Sequence, residues 1–133
     1  MKFTLDTAQG ILIHSSQPGE LILKIPADEP GKPHIKQSFS SSLILGDTNQ
    51  PEIWAITDVV QLTEKHFEKA WQNQPDIVLL GTGQRLQFPE MEIRQQFGLK
   101  GIGLEVMDTA AASRTYNVLV AEDRSVMAFL IVN

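Results

Sequence analysis

The chain has 133 residues, about one domain's worth, and its 11 Lys and Arg against 16 Asp and Glu leave a net charge of −5. That balance offers no basic excess for neutralising phosphates, which argues against general nucleic-acid binding, while 42% hydrophobic against 20% charged residues describes a globular chain rather than a disordered one. The absence of cysteine removes disulfides, Cys-ligated zinc, iron–sulfur clusters and thiol catalysis.

In chain order, Met1-Lys2-Phe3-Thr4-Leu5-Asp6 has neither the apolar core of a secretory signal nor the Arg/Ser-rich character of a transit peptide, so a cytoplasmic, bacterial location is expected. Ile11-Leu12-Ile13 and Leu21-Ile22-Leu23-Lys24-Ile25 flank Gln17-Pro18-Gly19 and predict a hairpin. Prolines at 26, 30 and 33 with Gly31 predict a surface loop, followed by strands over 41–45 and 53–56. From Thr63 the period changes: Phe67, Ala70 and Trp71 recur at helical spacing, which predicts a helix over about 64–72, with Thr63 as cap and Leu62 and Phe67 spaced as a hydrophobic staple.

The remainder reads as strand 77–80, helix 89–97, strand 104–107, helix 109–121 and strand 126–132. Pro89 suits the first helical position, Gly98 the left-handed residue beyond the helix, and Asp108 the cap of the next one. Strands joined through helices run parallel and are covered, hence continuous apolar runs such as Ile77-Val78-Leu79-Leu80. The longest such run, Val126 to Val132, falls far short of the roughly 20 residues a membrane helix needs. The expected architecture is α/β: a three-layer single domain over residues 1–133 with a central mixed sheet, a C-terminal βαβαβ unit and additional N-terminal strands.

Candidate chemistry is sparse. Gly81-Thr82-Gly83 follows a strand as a dinucleotide-binding turn does, but position 86 is Leu86 where a third glycine belongs, and no phosphate-cradling P-loop occurs. The turns at Gly81 to Gly83 and at Asp108-Thr109 should both lie at carboxyl ends of parallel strands, where open α/β sheets bind ligands. Arg85 stands nearby, and Arg114 and Asn117, three apart on one helix, share a face. The plain alternative pairs Arg114 with Glu105 or Asp108, in which case Arg114→Ala would cost roughly 3–5 kcal/mol by stranding a carboxylate. His14, His34 and His66 form no metal-binding spacing, so no metal or other cofactor is expected.

The stretch Gly101-Ile102-Gly103-Leu104-Glu105-Val106-Met107-Asp108-Thr109, continuing through Ala110-Ala111-Ala112-Ser113-Arg114-Thr115-Tyr116-Asn117-Val118-Leu119, is distinctive. With Leu80-Gly81-Thr82-Gly83 and Phe88-Pro89 before it and Ala121-Glu122-Asp123-Arg124 after it, it resembles the domain family that includes mitochondrial respiratory complex I assembly factor 3 and many small bacterial and archaeal proteins. The resemblance implies a three-layer α/β fold and a role in binding other proteins, with no catalytic activity established for the family. It also implies that Ser113 stands where relatives often carry Cys.

Two readings follow. The first is a non-catalytic protein-binding or assembly factor, with subunits of a membrane respiratory complex among its candidate partners. It calls for an exposed apolar patch of several hundred Å², with Trp54 or Trp71 as candidates. It involves no nucleic acid and no membrane insertion, and leaves self-association through a sheet edge open. The alternative is a small-molecule binder or enzyme using a crevice lined by Gly81, Thr82, Gly83, Arg85, Glu105, Asp108, Thr109, Arg114 and Asn117. Glu105 or Asp108 would be its acid or base if burial raised the carboxyl pKa toward neutrality.

Overall fold

The computed structural model describes residues 10–133, so the expectation drawn from Met1 to Asp6 lies outside it. A five-stranded sheet has the order β5-β4-β8-β6-β7, formed by β4 (Leu43–Leu45), β5 (Glu52–Ile53), β6 (Ile77–Gly81), β7 (Gly103–Met107) and β8 (Val126–Leu130). β6 pairs in parallel with β7 on one side and β8 on the other, while β4 runs antiparallel to β8 and β5 antiparallel to β4. A second sheet, β1-β2-β3, is a meander of Leu12–Gln17, Glu20–Ile25 and Ile35–Phe39. The helices are α1 (Glu68–Asn73), α2 (Met91–Leu99) and α3 (Thr109–Ala121), with short 3-10 turns at Val59–Gln61 and Glu64–Phe67.

Successive strand residues point to opposite faces, so the continuous apolar runs of the central strands feed two cores at once. Val78, Leu80, Met127, Phe129 and Ile131 face α1 and α2, joining Phe67, Ala70, Ile93 and Phe97. Leu79, Ala128, Leu130 and Val132 face the other way, against Ala112 and Tyr116 of α3 and Ile13, Leu21 and Leu23 of the small sheet. The mixed α/β, three-layer arrangement matches the sequence reading.

The first core is aromatic. Phe67 sits at its centre, with ring centroids 5.0 Å from Phe129, 5.1 Å from Phe97 and 5.8 Å from Trp54, in edge-on or tilted geometry. The Trp54 indole N–H donates to the His66 carbonyl at 3.1 Å, which satisfies its polar edge inside the packing. Buried Ser42 bridges two segments beside this core: its hydroxyl donates to the Ile56 carbonyl and accepts the Val132 amide at 2.8 Å.

Several local expectations shift. The Thr63 turn begins as a 3-10 helix before α1 continues it, and the Thr63 backbone N–H donates to His66 Nδ1 at 2.9 Å. Pro89 precedes the cap residue Glu90 rather than opening the helix, and Gly98 lies inside α2; the left-handed residue is Gly101, at φ 71°. β3 is a strand where only a loop was expected before Ser41, because Ile35-Lys36-Gln37-Ser38-Phe39 has four exposed positions and no apolar run to announce it.

The small sheet is moored to α3 by one side chain. The Asn117 carboxamide accepts the Ile13 N–H at 2.9 Å and donates to the Ile13 carbonyl at 2.7 Å, so a single amide completes the outer edge of β1 as a neighbouring strand would. The β1–β2 register slips between Ile13 and Ser15, leaving His14 as the bulged, exposed residue immediately beyond that contact. Asn117→Ala should therefore cost about 1–3 kcal/mol in urea unfolding, by orphaning two part-buried backbone groups. Tyr116, the only tyrosine, sits buried on the same helix, and desolvation pushes its phenol up to about 12. Its folded pKa is thus raised above the unfolded 10.0, so the stability it contributes is complete below pH 10 and is lost as pH climbs towards 12. Absorbance titration at the phenolate band should place the native midpoint well above that of the urea-unfolded chain.

Candidate functional site

The carboxyl ends of β6, β7 and β8 converge on Thr109, the first residue of α3. Its hydroxyl accepts the Gly83 N–H at 2.8 Å and donates to the Ile131 carbonyl at 2.6 Å, while its own amide donates to the Gly83 carbonyl at 3.0 Å. The Thr82 amide donates to the Met107 carbonyl at 2.9 Å, and the Asp108 carboxylate caps α3 by accepting the Ala111 amide at 2.8 Å. Gly81, Thr82, Gly83, Asp108 and Thr109 are therefore brought together, as the parallel topology requires.

Two glycines make this approach possible. A Cβ on Gly81 would lie 2.9 Å from Thr109 Oγ1 and 3.0 Å from both Thr109 Cα and Leu130 Cδ2, so any larger residue would push α3 off the sheet. Gly83 has φ 96°, a conformation L residues rarely adopt, and its missing side chain is the space taken by the Asn133 carboxamide.

The same contacts occupy the groups a ligand would want. The amides of Thr82, Gly83, Thr109 and Ala111 all donate within the chain, and the Gln84 amide donates to Asn133 Oδ1 at 3.2 Å. The Thr82 hydroxyl donates to the Arg85 carbonyl at 2.6 Å, so both threonine protons are held by carbonyls rather than offered to a base. What stays open is a hollow of about 210 Å³ between the β1–β2 turn and this junction, lined by Ser16, Pro18, Gln84, Asp108 and Ala110 among others. Pro18 was expected only as part of the hairpin turn, and neither it nor Ser16 was counted among the crevice residues, because nothing local reports that the hairpin turn folds over the start of α3.

The remaining candidates disperse. Arg85 is exposed in a neighbouring hollow of about 280 Å³ with Asp58 and Gln87. Glu105 is exposed beside Phe88 and Arg94, away from the junction, and Asp108 is engaged as a cap, so neither carboxylate has the burial the acid–base reading asked for. Arg114 is exposed and has no ion pair among the described residues, which overturns its expected pairing with Glu105 or Asp108. Asn117 does not share a partner with Arg114, because its amide is spent on Ile13. Among the described residues no cluster of three or more His, Asp or Glu is arranged to hold a metal ion.

The surface narrows the choice of apolar residues. Trp54 is 6% exposed and buried, Trp71 is half-buried against the aromatic core with one side on a surface hollow, and Leu86, Phe88 and Met91 are 52%, 60% and 63% exposed at the entry to α2. Among the described residues no helix is long and apolar enough to cross a membrane.

With this geometry in hand, comparison with known proteins gives a consistent picture. A family model described as protein of unknown function (DUF498/DUF598) matches residues 29–131. The chain is 31% identical over 118 residues to the 13 kDa major membrane protein of Francisella tularensis, covering 81% of this chain and 94% of that one. It is 35% identical over 80 residues to human NADH dehydrogenase (ubiquinone) 1 alpha subcomplex assembly factor 3, covering 59% of this chain and 44% of that protein, so the match spans less than half of the assembly factor. The solution structure of a Xanthomonas campestris protein superposes with a TM-score of 0.74 at 32% identity, covering 92% of this chain and 84% of that one.

The junction makes a direct stability prediction. Thr109→Val, nearly the same shape without the hydroxyl, should cost about 2–3 kcal/mol in chemical denaturation by orphaning the Gly83 N–H. Arg114→Ala should cost less than about 0.5 kcal/mol, as expected of an exposed side chain with no ion pair among the described residues.

Proposed function

Since the chain belongs to the family described as protein of unknown function (DUF498/DUF598), we propose that it acts by binding other proteins, as a non-catalytic assembly factor. The observation that carries this reading is the 80-residue alignment at 35% identity with human assembly factor 3. The site geometry supports it from the other side: the crevice expected for a small ligand has its amides, hydroxyls and cap carboxylate committed within the chain. The exposed Leu86, Phe88 and Met91 supply apolar contact area at the entry to α2.

Subunits of a membrane-bound respiratory complex are the proposed clients, by analogy with what the human relative's name says it assembles. The cytoplasmic location belongs to the same proposal, and the Francisella relative's name makes attachment to a membrane surface the competing outcome. A second reading keeps the 210 Å³ hollow by the Gly81-Thr82-Gly83 turn and Asp108-Thr109 as a site for a small polar molecule, with Arg85 at its margin.

Mild crosslinking in the native cell, followed by affinity purification of the tagged full chain and mass spectrometry of proteins and retained small molecules, separates these readings. The expected result is reproducible enrichment of a small set of protein partners, lost in a folded Leu86→Ser, Met91→Ser double variant. A retained metabolite without protein partners would overturn the assembly reading and put the hollow first. Fractionation of the same cells should leave the chain with the soluble fraction after a salt wash.

A further inference from the structure

β7 is the outermost strand of the five-stranded sheet, paired on one side with β6. The Gly103 amide donates to the Asp76 carbonyl at 3.0 Å and the Met107 carbonyl accepts the Thr82 amide, so Gly103, Glu105 and Met107 turn their backbone groups inward to β6. By strand alternation Leu104 and Val106 turn their N–H and C=O groups outward, where no described strand lies. Beside this edge is an open hollow of about 470 Å³ lined by Phe88, Phe97, Ile102, Leu104 and Val106, with the Arg94 guanidinium 5.6 Å above the Phe88 ring.

The other long edges are blunted. Asn117 completes the backbone of β1 at Ile13, and β3 presents exposed Lys36 and polar neighbours. β7 has neither device. Its central residue is Glu105, which alternates with Leu104 and Val106 along the strand, borders the same hollow at its exposed rim and has no ion pair among the described residues.

These features specify the occupant. An added strand would exchange backbone hydrogen bonds with Leu104 and Val106, seat its own apolar side chains on the Phe88 and Ile102 side, and oppose Glu105 with the residue between them. A second copy of this chain is a poor fit: antiparallel β7 pairing centred on Glu105 would place two carboxylates directly opposite each other, between molecules that each carry −5. We propose that the β7 edge takes up an extended segment of a partner protein with the pattern apolar–basic–apolar, the basic residue lying opposite Glu105. The proposal rests on the protein-binding reading above for its biological partner, while the edge itself is tested without one.

The probe is the synthetic peptide acetyl-Ser-Thr-Val-Lys-Val-Thr-Ser-amide, titrated to millimolar concentration into the isotope-labelled full chain and followed by amide shifts and hydrogen exchange. Expected are shifts confined to β7, Phe88 and α2, and slowed exchange at the Leu104 and Val106 amides. The counterpart with Glu in place of Lys should bind roughly two- to fivefold more weakly, and Glu105→Lys, an exposed change that leaves the fold intact, should reverse that order. Absence of shifts at β7 with either peptide would overturn the proposal. Slowed exchange at Leu104 and Val106 without peptide, rising with protein concentration alongside a doubled mass in solution, would overturn it in favour of self-pairing. Protein partners captured equally by wild type and Glu105→Lys, with no peptide bound, would sink the edge and leave the protein-binding function standing.

Discussion

The architecture turns on the contact between Gly81 and Thr109. Two parallel strands can be followed by helices on opposite faces of a sheet only if their carboxyl ends diverge, and that divergence ordinarily opens a crevice. Here α3 starts so close to β6 that only a hydrogen fits at Gly81, and the Thr109 hydroxyl joins the Gly83 amide to the Ile131 carbonyl across the gap. The polar groups at the place where such sheets usually hold ligands are bonded to the chain itself, and only the hollow of about 210 Å³ beside them stays open. Side-chain hydroxyls between backbone groups are well suited to this, since each both donates and accepts and leaves no buried polar atom alone.

That closure governs what the rest of the molecule can offer. With α3 fixed against the sheet, its outward face can carry Asn117 to the Ile13 backbone and so hold the small sheet over the aliphatic core. With α1 and α2 fixed by the aromatic core on the other face, the β6–α2 connection leaves Leu86 and Phe88 exposed, with Phe88 beside the outer edge of β7. Exposed Phe88 and the outer edge of β7 therefore lie together, away from the junction.

The C-terminal half was legible in the sequence because its signals are strong and mutually consistent. Buried parallel strands need apolar residues on both faces, so Ile77 to Leu80 and Val126 to Val132 stand out as runs, and Asp108 caps the helix it was assigned to. The N-terminal half was less so. β3 is an exposed edge whose only strong partner is β2, and its polar residues resemble the loop before it. The site suffered from the same limit: Arg114 and Asn117 are three apart on one helix, yet one is exposed with no ion pair among the described residues and the other bonds to a residue 104 positions away.

Taken by itself, the sequence determined the globular composition, the order of the C-terminal strands and helices, the Asp108 cap, and membership of a recognisable family, because each of these is written in local periodicity or in a contiguous motif. Tertiary structure decided which groups remained available. Whether an amide, a hydroxyl or a carboxylate is spent or free depends on partners brought from distant segments, such as Asn133 to Gly83 and Asn117 to Ile13, and no spacing along the chain records those encounters. The strand left at the edge of the sheet is likewise a property of the assembled order β5-β4-β8-β6-β7: β6 and β8 are continuous apolar runs and β7 is interrupted by Glu105, but which strand pairs with which is recorded only in the folded sheet.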